Sequence, residues 1–164
     1  MSVGGSGRPS SFQTKQGETM RDLHQVLNVG QLLGNAVIAA DSTPVAVDLA
    51  GYKGAEIILC IGIGGITFSG ANKIEFVLTH SHDDSVYANV VDADMLGCAP
   101  ISNGIIKALT SAHAAAAMYR FGYVGPRRYL KLLADFTGTH GTGTSLAAAC
   151  VRGYPSFAPV PDQA

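Results

Sequence analysis

The residues best suited to chemistry in this chain form the run HSHDD (80–84), which follows an apolar strand. His80, His82 and Asp84 have the spacing of the HxHxDH motif of zinc hydrolases, and imidazoles two positions apart at a strand end can bind one metal ion. Ser85 stands where the last histidine of that motif should be, and the chain lacks the alternating helices and distant ligands of such a fold. The run therefore predicts a polar hairpin tip, in which aspartate side chains bind the turn backbone.

Two glycine-rich stretches have the composition of phosphate-binding loops. Residues 62–65 (GIGG) follow an apolar strand, but the dinucleotide motif needs a helix next, whose N-terminus faces the pyrophosphate. Strand and turn residues follow instead. Residues 137–144 (TGTHGTGT) lack the lysine of a P-loop. Both stretches predict loops between strands.

Serine, histidine and aspartate are present, but no G-x-S-x-G nucleophile elbow brings them together. The isolated His24, His113 and His140 are interpreted as hydrogen-bonded polar residues rather than as ligands. We predict that the protein is not an enzyme, with no catalytic residue, no metal site and no cofactor.

A basic and aromatic segment follows the Gly125-Pro126 turn. Arg127 and Arg128, with Tyr123 and Tyr129 close by in the sequence, have the side chains that bind acidic or planar partners. The alternative is an exposed turn next to a strand.

The elements that must position these residues are short strands. Between Arg128 and Phe136 the even positions are apolar, which puts one face of a strand on a core. We interpret residues 118–152 as a β-meander with turns at Gly125-Pro126 and in the Thr/Gly loop. Residues 91–96 and 111–118 are the only candidate helical turns. The other candidate strands are 24–30, 35–40, 44–49, 55–62, 73–80, 86–91 and 104–109.

About nine strands separated by turn residues predict an all-β fold, an antiparallel β-sandwich or barrel-like domain of jelly-roll or immunoglobulin type. We assign residues 23–153 to this domain. Residues 1–22 are rich in Gly, Ser and Thr and are assigned as a flexible arm, either a disordered tail or a segment that becomes ordered on a neighbouring subunit. Residues 154–164 are assigned as an extended proline-rich tail able to lie over a neighbour, with the sheet ending near Gly153.

The composition is poor in charge. Charged residues make up 14% of the 164 residues, against about 25% in an average soluble domain. Either partners cover much of the surface, since interface cores are depleted of charge, or the protein is a compact β domain with glycine-rich loops. A net charge of -1 gives no electrostatic case for nucleic acid, and no apolar run approaches the ~20 residues that span a membrane.

The three cysteines, Cys60, Cys98 and Cys150, leave an odd thiol without CxxC spacing, which favours a reducing compartment. The glycine- and serine-rich N-terminus lacks the apolar segment of a signal peptide. We expect the protein to be made in a reducing cytoplasm.

Three segments resemble a known family: residues 53–62 (KGAEIILCIG), 74–90 (IEFVLTHSHDDSVYANV) and 119–160 (YRFGYVGPRRYLKL and the Thr/Gly loop with its following strand). These are similar to small virion proteins encoded beside the major capsid protein in tailed phages and prophages, some of which decorate and cement the head. The similarity covers about Leu49 to Val160. The family hairpin has a glycine where this chain has Ser85.

The resemblance implies a structural protein on the outer surface of the capsid, bound to the major capsid protein and to copies of itself as a homotrimer. It implies no nucleic acid and no membrane as partners. A tail or baseplate component and a carbohydrate-binding β-sandwich are the alternatives. The residues predicted to bind partners are Arg8, Phe12, Lys15, Arg21, Arg127, Arg128 and Tyr129.

Overall fold

The computed structural model describes residues 22–98 and 101–163, whose regular structure consists of ten β-strands and two 3-10 turns, His24–Val26 and Asp92–Asp94. No helix in these residues is long and apolar enough to cross a membrane. The strands are β1 (Leu27–Ile38), β2 (Val47–Asp48), β3 (Tyr52–Ile61), β4 (Lys73–Ser81), β5 (Ala88–Asn89), β6 (Met95–Leu96), β7 (Ile105–Leu109), β8 (Ala117–Tyr123), β9 (Tyr129–Thr137) and β10 (Thr144–Pro155).

The strands form two five-stranded antiparallel sheets that pack on one shared core. Sheet I has the order β1-β10-β3-β8-β6. Sheet II has the order β2-β9-β4, and β5 and β7 pair with opposite ends of the other edge of β4. The predicted all-β sandwich is thereby confirmed. Residues 1–21 of the predicted arm lie outside the described residues.

The alternation predicted for the two central strands of sheet II is confirmed. Ile74, Phe76 and Leu78 of β4 are fully buried, and so are Leu130 and Leu132 of β9. Each such side chain contributes about 1.5–3 kcal/mol when it leaves water. The matching strand of sheet I, β3, buries every second residue in the same way.

The predicted β-meander is wrong. β8 and β10 belong to sheet I, whereas β9 between them belongs to sheet II. The Gly125-Pro126 turn therefore carries the chain from one sheet to the other, and the Thr/Gly loop returns it. Period-two alternation is identical for a strand in either sheet, so the pattern did not reveal the crossings.

The first predicted strands also differ from the structure. Residues 24–26 form a 3-10 turn, and the two candidates that follow are one twelve-residue strand, β1. Its pairing with β10 shifts register between Gln31 and Leu33 and again before Ala36. These irregularities place the consecutive residues Leu32 and Leu33 both in the core.

The chain after β10 packs on its own domain. β10 ends at Pro155 rather than near Gly153. The buried Val160 donates its N–H to Gln25 O (2.9 Å), and the Gln163 side chain binds both backbone groups of Val29 (2.8 and 2.7 Å). Residues 160–163 thus cover the start of β1 in the same molecule.

Candidate functional site

The start of β3 has a strand neighbour on one side only. β3 pairs with β10 from Tyr52 to Ile61. On its other side it pairs with β8, and that pairing begins at Ala55. In the part of the chain that the structure describes, residues 52–54 have no strand on that side, although the N–H of Tyr52 donates to Leu49 O at 3.0 Å.

The edge stays free because β8 turns away. Tyr123 is the last residue of β8 that pairs with β3. The N–H of Val124 then donates to Asp94 O at 2.7 Å, on the opposite side of β8. Pro126 has no N–H to continue a ladder, and the chain crosses to sheet II.

A cleft of about 470 Å³ fills the space that β8 leaves beside β3. We call it the notch. Its walls are residues 49–55 on one side and residues 123–128 on the other, with His82 at the rim. None of these lining residues is acidic.

Two basic side chains in the notch lack a carboxylate partner. Within residues 22–98 and 101–163, no carboxylate oxygen lies within 4.0 Å of Lys53 or Arg127. Lys53 is exposed. The half-buried Arg127 makes a long hydrogen bond of 3.5 Å from Nη1 to His80 O. The notch is therefore a positively charged surface available to an anionic group.

Arg128 has a different role from Arg127, although the two are adjacent. Its guanidinium binds Asp48 through two bonds, Nε to Oδ1 (2.7 Å) and Nη2 to Oδ2 (2.6 Å), and lies over the Tyr129 ring at 4.9 Å. The Arg128 guanidinium holds the pKa of the Asp48 carboxyl below its usual range. This pair joins β2 to the start of β9. Of the two arginines predicted to bind a partner, Arg128 is thus paired with Asp48, and Arg127 has no carboxylate partner among the described residues.

The floor of the notch is rigidified by the Tyr123 hydroxyl. This hydroxyl accepts a hydrogen bond from Arg127 N–H (3.1 Å) and lies 3.2 Å from Arg127 O. It also lies 3.0 Å from Nδ1 of His80, which comes from sheet II. One buried side chain therefore joins the two sheets and fixes the backbone at Arg127.

His80 is a buried core residue. Its Nε2 lies 3.9 Å from Asp94 Oδ2, while its Nδ1 faces Tyr123. Burial lowers the pKa of His80, and the Asp94 carboxylate partly opposes that effect. The imidazole is consequently held in the neutral form at neutral pH.

The other residues of the zinc-like run point elsewhere. His82 is exposed at the rim of the notch, and Asp84 binds the Tyr87 hydroxyl and Lys131. Asp83 accepts bonds from Ser85 N–H (3.0 Å) and from two neighbouring groups in the turn. The run forms the polar turn that the sequence predicted. In the described residues, no three His, Cys, Asp or Glu side chains are grouped so that they could hold a metal ion.

The glycine-rich loops use their backbone donors internally. The N–H groups of Gly62, Gly64 and Gly65 donate to Ser145 O (2.7 Å), His113 O (2.9 Å) and Thr144 Oγ1 (3.3 Å). A Cβ at Gly65 would lie 1.9 Å from Gly143 O, so the two loops contact each other through their backbones. Donors committed in this way cannot cradle a phosphate, as expected for loops between strands.

The outer face of sheet I is almost free of charge. Among the residues that the structure describes, the charged ones on this face are Glu56 and Arg120, and they pair with each other, with Arg120 Nε 3.2 Å from Glu56 Oε1. Around them lie small and apolar side chains, among which Met118 is 72% exposed. The rows across the paired strands are Val29–Val151–Glu56–Gly122–Leu96, Gln31–Ala149–Ile58–Arg120 and Ala147–Cys60–Met118.

The outer face of sheet II carries more charge. An ion pair joins Lys73 to Glu75 at 2.8 Å, and Lys131 Nζ lies 3.4 Å from Asp84 Oδ1. One apolar row separates the charged ones. The rows are Lys73–Thr137, Ala108–Glu75–Asp135, Ile105–Val77–Leu133 and Asn89–Thr79–Lys131.

The sequence interpretation missed Lys53 and the outer face of sheet I. No sequence pattern around Lys53 indicated a binding residue, because its position in the notch depends on where β8 ends. The face did have a signal: β3 is apolar on both of its sides, and β10 places Ala147 and Ala149 outward. Arg8, Phe12, Lys15 and Arg21, also predicted to bind partners, lie outside the described residues.

The fold and these surfaces define a β-sandwich with a basic notch and two unlike outer faces. Comparison with protein-family models, with curated proteins and with solved structures finds no match.

Proposed function

We propose that the protein is a structural virion protein, a decoration protein that binds the outside of a phage head as a homo-oligomer and stabilises it. The observation that carries the proposal is the nearly uncharged outer face of sheet I. Together with the resemblance of residues 49–160 to head proteins, this face supports a role in assembly.

The physical argument concerns what covers that face. Exposed apolar patches of this kind mark association surfaces, and depletion of charge is the compositional signal of interface cores. A second copy of the chain is the occupant we infer. Homo-oligomeric interfaces are the more apolar class, and the one Glu56–Arg120 pair leaves the face with no net charge to repel a copy. The resemblance implies three copies.

Stabilisation of a head follows from mass action. A protein that binds the assembled shell and not its separated subunits shifts the equilibrium toward the shell. Each contact must offset the cost of fixing the subunit in place. Over a whole shell, even ~1–2 kcal/mol per contact is effective, because each 1.4 kcal/mol is about tenfold in occupancy.

The test compares heads that carry the protein with heads from a deletion strain. Both are heated, and DNA release is followed by the fluorescence of an intercalating dye. We expect heads without the protein to release DNA at a lower temperature and to regain resistance when purified protein is added. Equal release temperatures, or detection of the protein on purified tails only, would refute the proposal and favour a tail or baseplate component.

A carbohydrate-binding module is the second candidate, because two aromatic side chains are unusually exposed. Tyr154 is 78% and Phe157 90% exposed, and such rings can stack on sugars. Binding of the protein to host surface polysaccharide, abolished by Tyr154→Ala with Phe157→Ala, would favour this candidate. Absence of binding in a pull-down with intact cell envelopes would remove it.

A further inference from the structure

We propose that the notch binds an extended acidic segment of a partner protein, which adds as a short strand to the free edge of β3 at residues 52–54. The proposal goes beyond head decoration, since it concerns the chemistry of one cleft and holds whichever assembly the protein joins.

The first support is the unpaired strand edge. Backbone N–H and C=O groups of successive strand residues point to opposite sides. Residues 52–54 pair with β10 on one side only, so at least one residue of this stretch directs both groups into the notch. Only a partner that offers a donor and an acceptor at strand spacing satisfies both, and an extended polypeptide does so in the binding mode known as strand addition.

The second support is the distribution of charge. In residues 22–98 and 101–163, four basic side chains of lysine or arginine have no carboxylate within 4.0 Å: Lys53, Lys107, Arg127 and Arg152. Two of them do not line the notch: Lys107 lies over the Tyr119 ring at 4.2 Å, and Arg152 lies over the Tyr52 ring at 5.0 Å and donates to Asp48 O at 2.7 Å. The remaining two, Lys53 and Arg127, line the notch on opposite walls. A strand lying between them would meet a cation on each side.

The third support is preorganisation. The Tyr123 hydroxyl fixes the backbone of Arg127 with contacts of 3.1 and 3.2 Å. The opposite wall is held by β10, because Gly54 pairs with Gly153. Walls that are ordered before binding reduce the entropic cost of association.

A protein segment fits these features better than a nucleic acid. The chain has a net charge of -1, and nucleic-acid binding depends on an extended basic surface that neutralises many phosphates. The two cations of the notch match two acidic side chains of a short extended segment, whereas they would neutralise few phosphates of a nucleic acid.

The test uses a short capped peptide in which glutamate and valine alternate, labelled for fluorescence anisotropy. We expect it to bind the full chain and to weaken as salt is added. The variant Lys53→Gln/Arg127→Gln should bind at least about tenfold more weakly, because both charge-assisted contacts are lost. Lys107→Gln is the matched control, since it removes an unpaired cation outside the notch, and it should bind as the parent does.

Three further probes separate strand addition from simple charge attraction. A peptide with lysine in place of glutamate should not bind, and a glutamate–valine peptide with every backbone nitrogen methylated should bind weakly, because neither of its edges can complete the ladder. A short oligothymidylate should not compete. Equal binding by the N-methylated peptide, unchanged binding by the double variant, or tighter binding of the oligothymidylate would each overturn the proposal.

Circular dichroism confirms that each variant is folded, and Lys53→Gln alone serves if the double variant is not. None of these measurements involves a phage head. Failure of peptide binding therefore leaves the decoration proposal standing, and failure of the head experiment leaves the notch proposal standing.

Discussion

The outer face of sheet I and the outer face of sheet II differ in what their central strands place outward. β3 directs Glu56, Ile58 and Cys60 away from the core, whereas β4 directs Lys73 and Glu75 outward at one end. Neither set of residues packs in the core of this molecule. Residue type at outward positions therefore reflects what the face contacts outside the molecule.

Sheet II has the surface expected of a face in contact with water, where interspersed charges of both signs keep a protein in solution. Sheet I has little more than the single pair Arg120–Glu56 for that purpose. We infer that the outer face of sheet I associates with other molecules and that the outer face of sheet II contacts solvent. Three predictions, in order of decreasing effect, test or sharpen this comparison.

The largest effect is expected on self-association, when a charge is placed at the centre of the outer face of sheet I and, for comparison, of sheet II. Ala149 lies in the middle row of sheet I between Gln31 and Ile58, and Leu133 lies in the apolar row of sheet II; both are half-buried. Ala149→Glu should weaken self-association by at least about a hundredfold, because leaving a charge buried and unpaired in an interface costs about 3–5 kcal/mol. Leu133→Glu should leave the assembly intact. Light scattering across a concentration series measures the mass of both variants.

This assignment of roles to the two faces would be refuted if the parent protein is a monomer at the highest concentration, or if both variants have the parent's mass. If only Leu133→Glu loses the assembly, the outer face of sheet II is the associating face. Thermal unfolding of each variant shows whether the domain is still folded.

A smaller effect is expected between the sheets, where stability rather than association should change. Tyr123→Phe removes the hydroxyl that joins His80 to the backbone of Arg127. Buried groups left without a partner cost about 1–3 kcal/mol, so the free energy of unfolding in urea should fall by that amount while the molecular mass stays the same. Tyr154→Phe, at an exposed position, is the control. A dissociated Tyr123→Phe variant would show that the core and the faces are coupled.

The smallest effect is a dependence of stability on pH. Burial lowers the pKa of His80 below 6.5 in the folded protein, with Asp94 opposing this effect and Arg127 and His82 adding to it. Below pH 6.5 the unfolded chain then binds a proton that the folded protein does not, so stability falls as the pH decreases and is level above that pH. One proton gives a slope of at most about 1.4 kcal/mol per pH unit.

Urea unfolding between pH 5 and pH 7 (about the range in which histidine titrates) measures this slope. His80→Gln should flatten it, and the exposed His82→Gln, which removes only the smallest contribution to the lowered pKa of His80, should retain most of it. An unchanged slope in His80→Gln would assign the pH dependence to another group. Asp48, whose pKa is lowered by Arg128, acts in a separate window, because its contribution is lost only as the pH falls below about 4.

Several features of the molecule were predictable from the sequence. The alternation of Ile74, Phe76 and Leu78, like that of Leu130 and Leu132, predicted which side chains are buried. The acidic turn after β4 was also predictable, because Asp83 binds groups only two or three residues away. In each case the pattern and the interaction it predicts lie within one strand or one turn.

Partners distant in sequence decided the rest. Arg127 and Arg128 are equivalent in the sequence, yet Asp48 from β2 engages one of them and leaves the other in the notch. The N–H of Val124 donates to Asp94 O just beyond the last residue of β8 that pairs with β3, and β9 then belongs to the other sheet. Alternation determines which side of a strand is buried but not which strand lies beside it. Strand pairing, the notch and the two outer faces depend on long-range hydrogen bonds, which only the tertiary structure reveals.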